Sequence, residues 1–318
     1  MKRVGFAVVV VLLVLGLAEG GARAFGPGLL PPDRSRMAKP GEQVAGEPNM
    51  VGDADTGWRA KEGPQQSFGI PGGTTVNALG LRGAAPVEPR TGKRIMFVGD
   101  STVFGVFVAD RDTFVSRVGA ALGVEAINAG CPGYSSWQAL QAVRGRLADV
   151  KPDLLVIATL WSDTQGADSS DAVRFGGARR SLLDQSLAFV LLREWVRTVR
   201  WGSHAEEVKV GLSMPVAPSF RVPIGQYEDN LRALAASAPQ AAFLILPSIR
   251  DPAAGKVGDF RDAYRATMRE VAADLGAPLA DTPAAFVGTD TRAMFVDEVH
   301  PTAQGHQKIA EVVVAALK

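Results

Sequence analysis

A serine, an imidazole and a carboxylate, set where strands give way to loops, can carry out nucleophilic acyl chemistry, and this sequence offers all three. Ser101 stands in Gly99-Asp100-Ser101-Thr102-Val103-Phe104-Gly105, directly after the apolar run Arg94-Ile95-Met96-Phe97-Val98. A hydroxyl just past a buried strand lies at a helix N-terminus, where free N–H groups and the helix dipole favour negative charge. The same residues make an ordinary helix cap, with Asp100 or Ser101 satisfying the orphan N–H groups. Far along the chain, Asp297 and His300 stand three apart in Asp297-Glu298-Val299-His300-Pro301. That spacing lets a carboxylate orient an imidazole, and a serine nucleophile needs a base held in this way. Taken alone, it reads equally as a capping carboxylate beside an incidental histidine.

Two other stretches are placed to line the same crevice. Asn128-Ala129-Gly130-Cys131-Pro132-Gly133 has glycines that permit positive φ and close approach of backbone to a ligand, or simply an ordinary turn. Thr159-Leu160-Trp161-Ser162-Asp163-Thr164 breaks an apolar run with polar groups and an aromatic, or caps whatever follows. Cys131 has no evident base near it and reads as a small buried hydrophobe. His204 reads as a polar-loop residue and His306 as a packing residue.

The elements that must position these groups follow from the apolar pattern. Buried strands are predicted at 94–98, 124–128, 154–158, 242–246 and 278–280. Helices are predicted at 113–122, 137–147, 181–201, 227–236, 260–275 and 303–317. Alternation of this kind argues for a doubly wound, mostly parallel α/β sheet with helices on both faces. Ligands in such sheets bind outside the carboxyl ends of the strands, which is where Ser101, Gly133 and Ser162 fall.

Composition narrows the function class. Lys+Arg 34 against Asp+Glu 33 leaves no basic footprint for nucleic acid and no polybasic face for anionic membranes. With 3 His and 1 Cys, Cys/His metal sites lack their ligands, and no cofactor is expected.

At the N-terminus, Lys2-Arg3 precedes an apolar run from Val4 to Ala18, and Ala22-Arg23-Ala24 supplies a small-x-small site. Together these read as a secretory signal over 1–24, cleaved after Ala24, in an exported protein. Retention as a membrane anchor by residues 4–18 is the rival, although that run reaches only roughly 22 Å as a helix against a ~30 Å hydrocarbon core. Residues 25–92 read as a Gly/Pro-rich linker and N-terminal arm, with a small extended piece at Thr74-Thr75-Val76.

Taken in order across Arg94 to Lys318, these motifs resemble the SGNH (GDSL-type) hydrolase family. The resemblance implies a flavodoxin-like three-layer α/β/α catalytic domain over 93–318. It makes Ser101 the nucleophile, His300 the general base and Asp297 its orienting partner. The oxyanion hole would take the N–H groups of Ser101 and Gly133 and a donor after the third strand. The family's Gly-x-Asn-Asp there is replaced by Leu160-Trp161-Ser162-Asp163, which leaves Ser162 as the candidate third donor. The implied activity is an exported serine esterase that removes small acyl groups, acetyl above all, from carbohydrate or lipid esters through an acyl-enzyme. Two other readings use the same residues. One is an O-acyltransferase to a glycan hydroxyl, and the other is a glycan-binding protein with a decayed oxyanion hole.

Overall fold

The computed structural model of the protein describes residues 14–22, 24, 38–44, 46–66, 68–167, 170–176, 188, 192, 219–251 and 261–318. The chain divides into two compact units. One comprises Met1–Arg36 and Gly177–Ala217; within it residues 14–22 are helical, and Ala188 N–H donates to the Glu19 carboxylate at 3.1 Å. The apolar run from Val4 and the helix expected at 181–201 lie largely outside the described residues, as does His204. Among the described residues no helix is long and apolar enough to cross a membrane. The other unit, Met37–Gly176 with Pro218–Lys318, holds everything that follows.

Its centre is a parallel sheet of five strands: β1 (Arg94–Gly99), β2 (Glu125–Gly130), β3 (Leu154–Ala158), β4 (Gln240–Ile245) and β5 (Leu279–Asp281). Their order is β5-β4-β3-β1-β2, with every neighbour parallel. Every residue of β1 and β3 is buried, which is why these strands read as continuous apolar runs rather than alternating ones. The chain reverses its direction across the sheet at β1. The switch point, outside which doubly wound sheets bind their ligands, therefore lies between the ends of β1 and β3.

Helices cover both faces. Among them are α1 (Ser101–Phe104), α2 (Phe114–Leu122), α3 (Ser136–Arg144), α4 (Ile224–Ala235), α5 (Asp262–Asp274) and α6 (Ala303–Leu317). α6 packs on α2 on one face, while α3, α4 and α5 pack in succession on the other. Local chemistry sets their ends. Thr113 caps α2 by accepting from Ser116 N–H, Ser135 and Gln138 form a reciprocal capping box on α3, and Thr302 caps α6. The α3 helix stops at Arg144, short of the expected 147, because Gly145 follows it.

Residues 50–76, expected to fall mostly within a linker, carry two antiparallel hairpins. Met50–Asp53 pairs with Gly57–Ala60, and Gly63–Gln65 with Thr74–Val76. Apolar periodicity is weak here because the buried apolar side chains, Met50, Val51, Trp58, Ala60, Ile70 and Val76, are irregularly spaced and interleaved with buried polar ones, Thr56, Gln65 and Thr74. They are anchored by polar contacts: Trp58 Nε1 donates to the Pro132 carbonyl at 3.2 Å, and the Tyr134 hydroxyl donates to the Trp58 carbonyl at 2.6 Å. This ribbon is folded onto the loop that follows β2.

Candidate active site

Glycines at two strand ends let α1 sit directly on the sheet. Gly99 and Gly130 are paired in register; a Cβ on Gly99 would lie 2.2 Å from the Ala158 carbonyl oxygen, and one on Gly130 would lie 2.3 Å from Phe104 N. Asp100 caps the helix by accepting from Thr102 N–H at 2.9 Å, and Gly105 ends it with φ +85°. Both sequence readings of this stretch are therefore realised at once: Asp100 is the cap, and Ser101 is the first helical residue. Burial drives the Asp100 carboxyl above its usual range.

The other side of the pair comes from the turn between Phe295 and Pro301, whose backbones bridge. Within it Asp297 is fully engaged. Its Oδ1 accepts from the N–H groups of Val299 (3.0 Å) and His300 (2.9 Å), and its Oδ2 lies 2.7 Å from His300 Nδ1. His300 Nε2 lies 2.7 Å from Ser101 Oγ. The tautomer that satisfies both contacts carries its proton on Nδ1, leaving Nε2 as acceptor for the serine hydroxyl. Burial pushes the Asp297 carboxyl up, but its hydrogen bond and attraction to His300, with the two N–H donors, outweigh burial and hold it below the usual range. Thr102 Oγ1 ties the two halves by donating to the Val299 carbonyl at 3.3 Å.

The remaining sequence-predicted residues fall as follows. Gly133 lies in the loop after β2 with φ +80°, a conformation glycine adopts freely, and its carbonyl accepts from Arg221 at 2.8 Å. Ser162 is buried past the end of β3, and none of the described residues hydrogen-bonds its hydroxyl. Its neighbour Asp163 accepts from Ser136 N–H at 2.8 Å, and burial pushes its carboxyl up to about 7. Cys131 is buried, and burial pushes its thiol up to about 12, so it stays protonated. His306 is fully buried, stacked on Phe114 and accepting from Phe114 N–H at 3.1 Å. Burial, then the charges of Arg82 and Arg117, push it down to about 3, which keeps it neutral.

Several residues that organise this site were given no role by the sequence. Asn128 Nδ2 donates to the carbonyls of Val103 (2.8 Å) and Phe104 (3.2 Å), closing the end of α1; its place in Asn-x-Gly was the only hint. Arg82, buried and far from any motif, donates to the carbonyls of Phe104, Gly105 and Val108 and to Asp110 Oδ1. Arg221 binds Asp171 through two nitrogens, and also Gln138 and Gln165. Among the described residues no group of three or more His, Cys, Asp or Glu could hold a metal ion.

Solved structures of similar shape include LAE5, an alpha/beta hydrolase from the metagenome of Lake Arreo, Spain (18% identity, TM-score 0.48, covering 71% of this chain and 95% of that one). Axe2, an acetylxylan esterase from Geobacillus stearothermophilus, is 19% identical with a TM-score of 0.46, covering 73% of this chain and 96% of its own. A lipase/acylhydrolase from Enterococcus faecalis is 18% identical with a TM-score of 0.46, covering 70% and 94%. No curated protein matches the chain. The family model for the GDSL-like lipase/acylhydrolase family matches residues 97–308, which begin inside β1 and end inside α6. With that match running over well more than half of its length, the chain belongs to the GDSL-like lipase/acylhydrolase family, the SGNH-type ester hydrolases.

Proposed function

We propose that the chain is an exported serine esterase that removes small acyl groups, acetyl above all, from carbohydrate or lipid esters by way of an acyl-enzyme on Ser101. The observation that carries this reading is the continuous relay from Asp297 Oδ2 through His300 to Ser101 Oγ, with both contacts at 2.7 Å. Ser101 Oγ attacks the ester carbonyl as its proton passes to His300 Nε2. The resulting oxyanion accepts from the N–H groups of Ser101 and Gly133, with the Ser162 hydroxyl as the candidate third donor. Collapse breaks the C–O bond to the alcohol, which takes the proton back from His300, and Ser101 keeps the acyl group. Water then repeats the sequence, releasing the acid and restoring Ser101. Asp297 stays ionised throughout, holding the imidazole in its tautomer and stabilising the imidazolium.

Export rests on Lys2-Arg3, the apolar run to Ala18 and the Ala22-Arg23-Ala24 site, with cleavage after Ala24 leaving Phe25 first. The test is labelling of the mature protein with a serine-directed fluorophosphonate, followed by peptide mass spectrometry. The expected result is one adduct on Ser101, absent in Ser101→Ala, on a protein that begins at Phe25. A label elsewhere, or turnover of acetyl esters by Ser101→Ala, overturns the serine mechanism. An intact Met1 in the membrane fraction overturns cleavage.

A further inference from the structure

Phe107 and Phe68 share an uncommon feature. Both are aromatic, and both have positive φ, +69° and +67°. Bulky side chains avoid that region, and residues held there persist only when their surroundings over-determine them. The surroundings of Phe107 do so from two directions, one supplied by the N-terminal ribbon and the other by Arg82 beyond it. Phe107 N–H donates to the Phe68 carbonyl at 2.9 Å, and Gly69 lies so close that a Cβ on it would meet Phe107 Cδ1 at 2.4 Å. From the other direction Arg82 holds the carbonyls of Gly105 and Val108, the residues two before Phe107 and one after it. The Phe68 ring packs edge-on against Phe104 at 5.4 Å, fixing the ribbon to α1.

All this fixes the Phe107 ring 5.5 Å from the His300 imidazole, at an interplanar angle of 79°. Phe107 is only half-buried. On the serine-esterase reading above, on which this step rests, the leaving oxygen must come within hydrogen-bond reach of His300 Nε2 to collect its proton. The alcohol half of the ester is then carried along the flank of the imidazole, while the acyl chain departs from the carbonyl carbon bonded to Ser101. A side chain in ring contact with His300 therefore meets the alcohol half. It offers that half a flat, uncharged aromatic surface.

We propose that Phe107 is a specificity-determining residue for the alcohol half of the ester, and that it favours ring-shaped alcohols with an apolar C–H face, such as a pyranose, over short acyclic ones.

Two variants test it: Phe107→Leu, which keeps apolar bulk without the flat ring, and Phe107→Gly, which removes the ring and suits a φ of +69°. Each is assayed on acetates that share the acyl group, a monoacetylated methyl pyranoside and ethyl acetate, and on 4-nitrophenyl esters from acetate to hexanoate. The expected result is a fall of about tenfold or more in kcat/KM for the pyranoside, with ethyl acetate within about twofold and the acyl-length profile unchanged. All these acetates pass through one acetyl-enzyme, so its hydrolysis rate, read from burst kinetics, should not move. An unmoved ratio of pyranoside to ethyl acetate overturns the proposal, as does an equal fall on both or an altered acyl-length profile. If Ser101 of the unaltered protein takes no fluorophosphonate, it is the serine mechanism that fails. Intact labelling with an unmoved ratio removes only the assignment of Phe107.

Discussion

Arg221 donates to the carbonyl oxygen of Gly133 at 2.8 Å while the same guanidinium grips Asp171 at 2.7 Å, and neither charged side chain is more than 8% exposed. That bond fixes the peptide plane between Gly133 and Tyr134. The plane on the other side, which carries the N–H proposed to face the oxyanion, is held by Trp58 Nε1 donating to the Pro132 carbonyl at 3.2 Å. Gln138 and Ser135, which bond Arg221 and Asp171 respectively, belong to the capping box of α3, so the loop and the helix are held by one network.

Arg221→Lys keeps the charge but loses the planar fork that reaches four partners. It should lower kcat by roughly ten- to a hundredfold with little change in KM, because the lost interaction serves the transition state. Arg221→Met leaves Asp171 buried and unpaired and should cost about 3–5 kcal/mol in urea unfolding. Paired with Asp171→Leu, it should recover much of that stability but not the activity.

Ser101→Ala and His300→Ala should each remove nearly all acetyl-ester turnover, by roughly 10⁴-fold or more, and the double variant should be little worse than either single one. Asp297→Asn should cost less, though still orders of magnitude, because it unsettles the tautomer rather than removing the base. Steady-state kinetics on one neutral ester, with thermal unfolding as a control, measures all four.

Ser162→Ala tests whether the hydroxyl reaches the oxyanion. A well-placed donor is worth about 2.7–4 kcal/mol, whereas a serine that falls short of the family's asparagine should cost under roughly tenfold in rate, about 1.4 kcal/mol. The smaller loss is expected, since an amide projects farther than a hydroxyl. Ser162→Asn should then raise kcat.

Two buried groups tilt stability with pH in opposite directions. Asp163, pushed up to about 7, binds its proton more tightly folded than unfolded, so its contribution falls as pH rises from about 4 to 7. His306, pushed down to about 3, binds its proton more weakly folded than unfolded, so its contribution rises with pH from about 3 to 6.5. Relative to the parent, Asp163→Asn should make the stability curve climb more steeply with pH across 4–7. His306→Gln should make it climb less steeply across 3–6.5. Urea midpoints at half-unit pH steps give both slopes.

The strands of the sheet were legible because burial on both faces writes them as continuous apolar runs. The predicted 154–158 matches β3, and the predicted 242–246 overlaps β4 with a shift of two residues at its start and one at its end. Ser101, Asp297 and His300 were legible as residue types at the right places, and the structure brings them together. What was hidden has one physical cause. Arg82, Asn128 and Arg221 act through polar contacts to backbone carbonyls and side chains 20 or more residues away, and such contacts leave no periodic trace. Phe107 was hidden for a related reason. The role proposed for it depends on the ribbon, whose buried apolar side chains are scattered rather than periodic, so that residues 50–76 read as a linker.

Ser101 and His300 meet across 199 residues of chain. During synthesis at about 5–20 residues per second, the serine emerges roughly 10–40 s before the imidazole. Until the turn at Phe295–Pro301 docks and α6 closes against α2, Ser101 is an ordinary alcohol with no base to take its proton. On the mechanism proposed, nucleophilicity is thus a property of the finished fold rather than of the motif, and a nascent chain would be chemically silent toward every ester it met on its way.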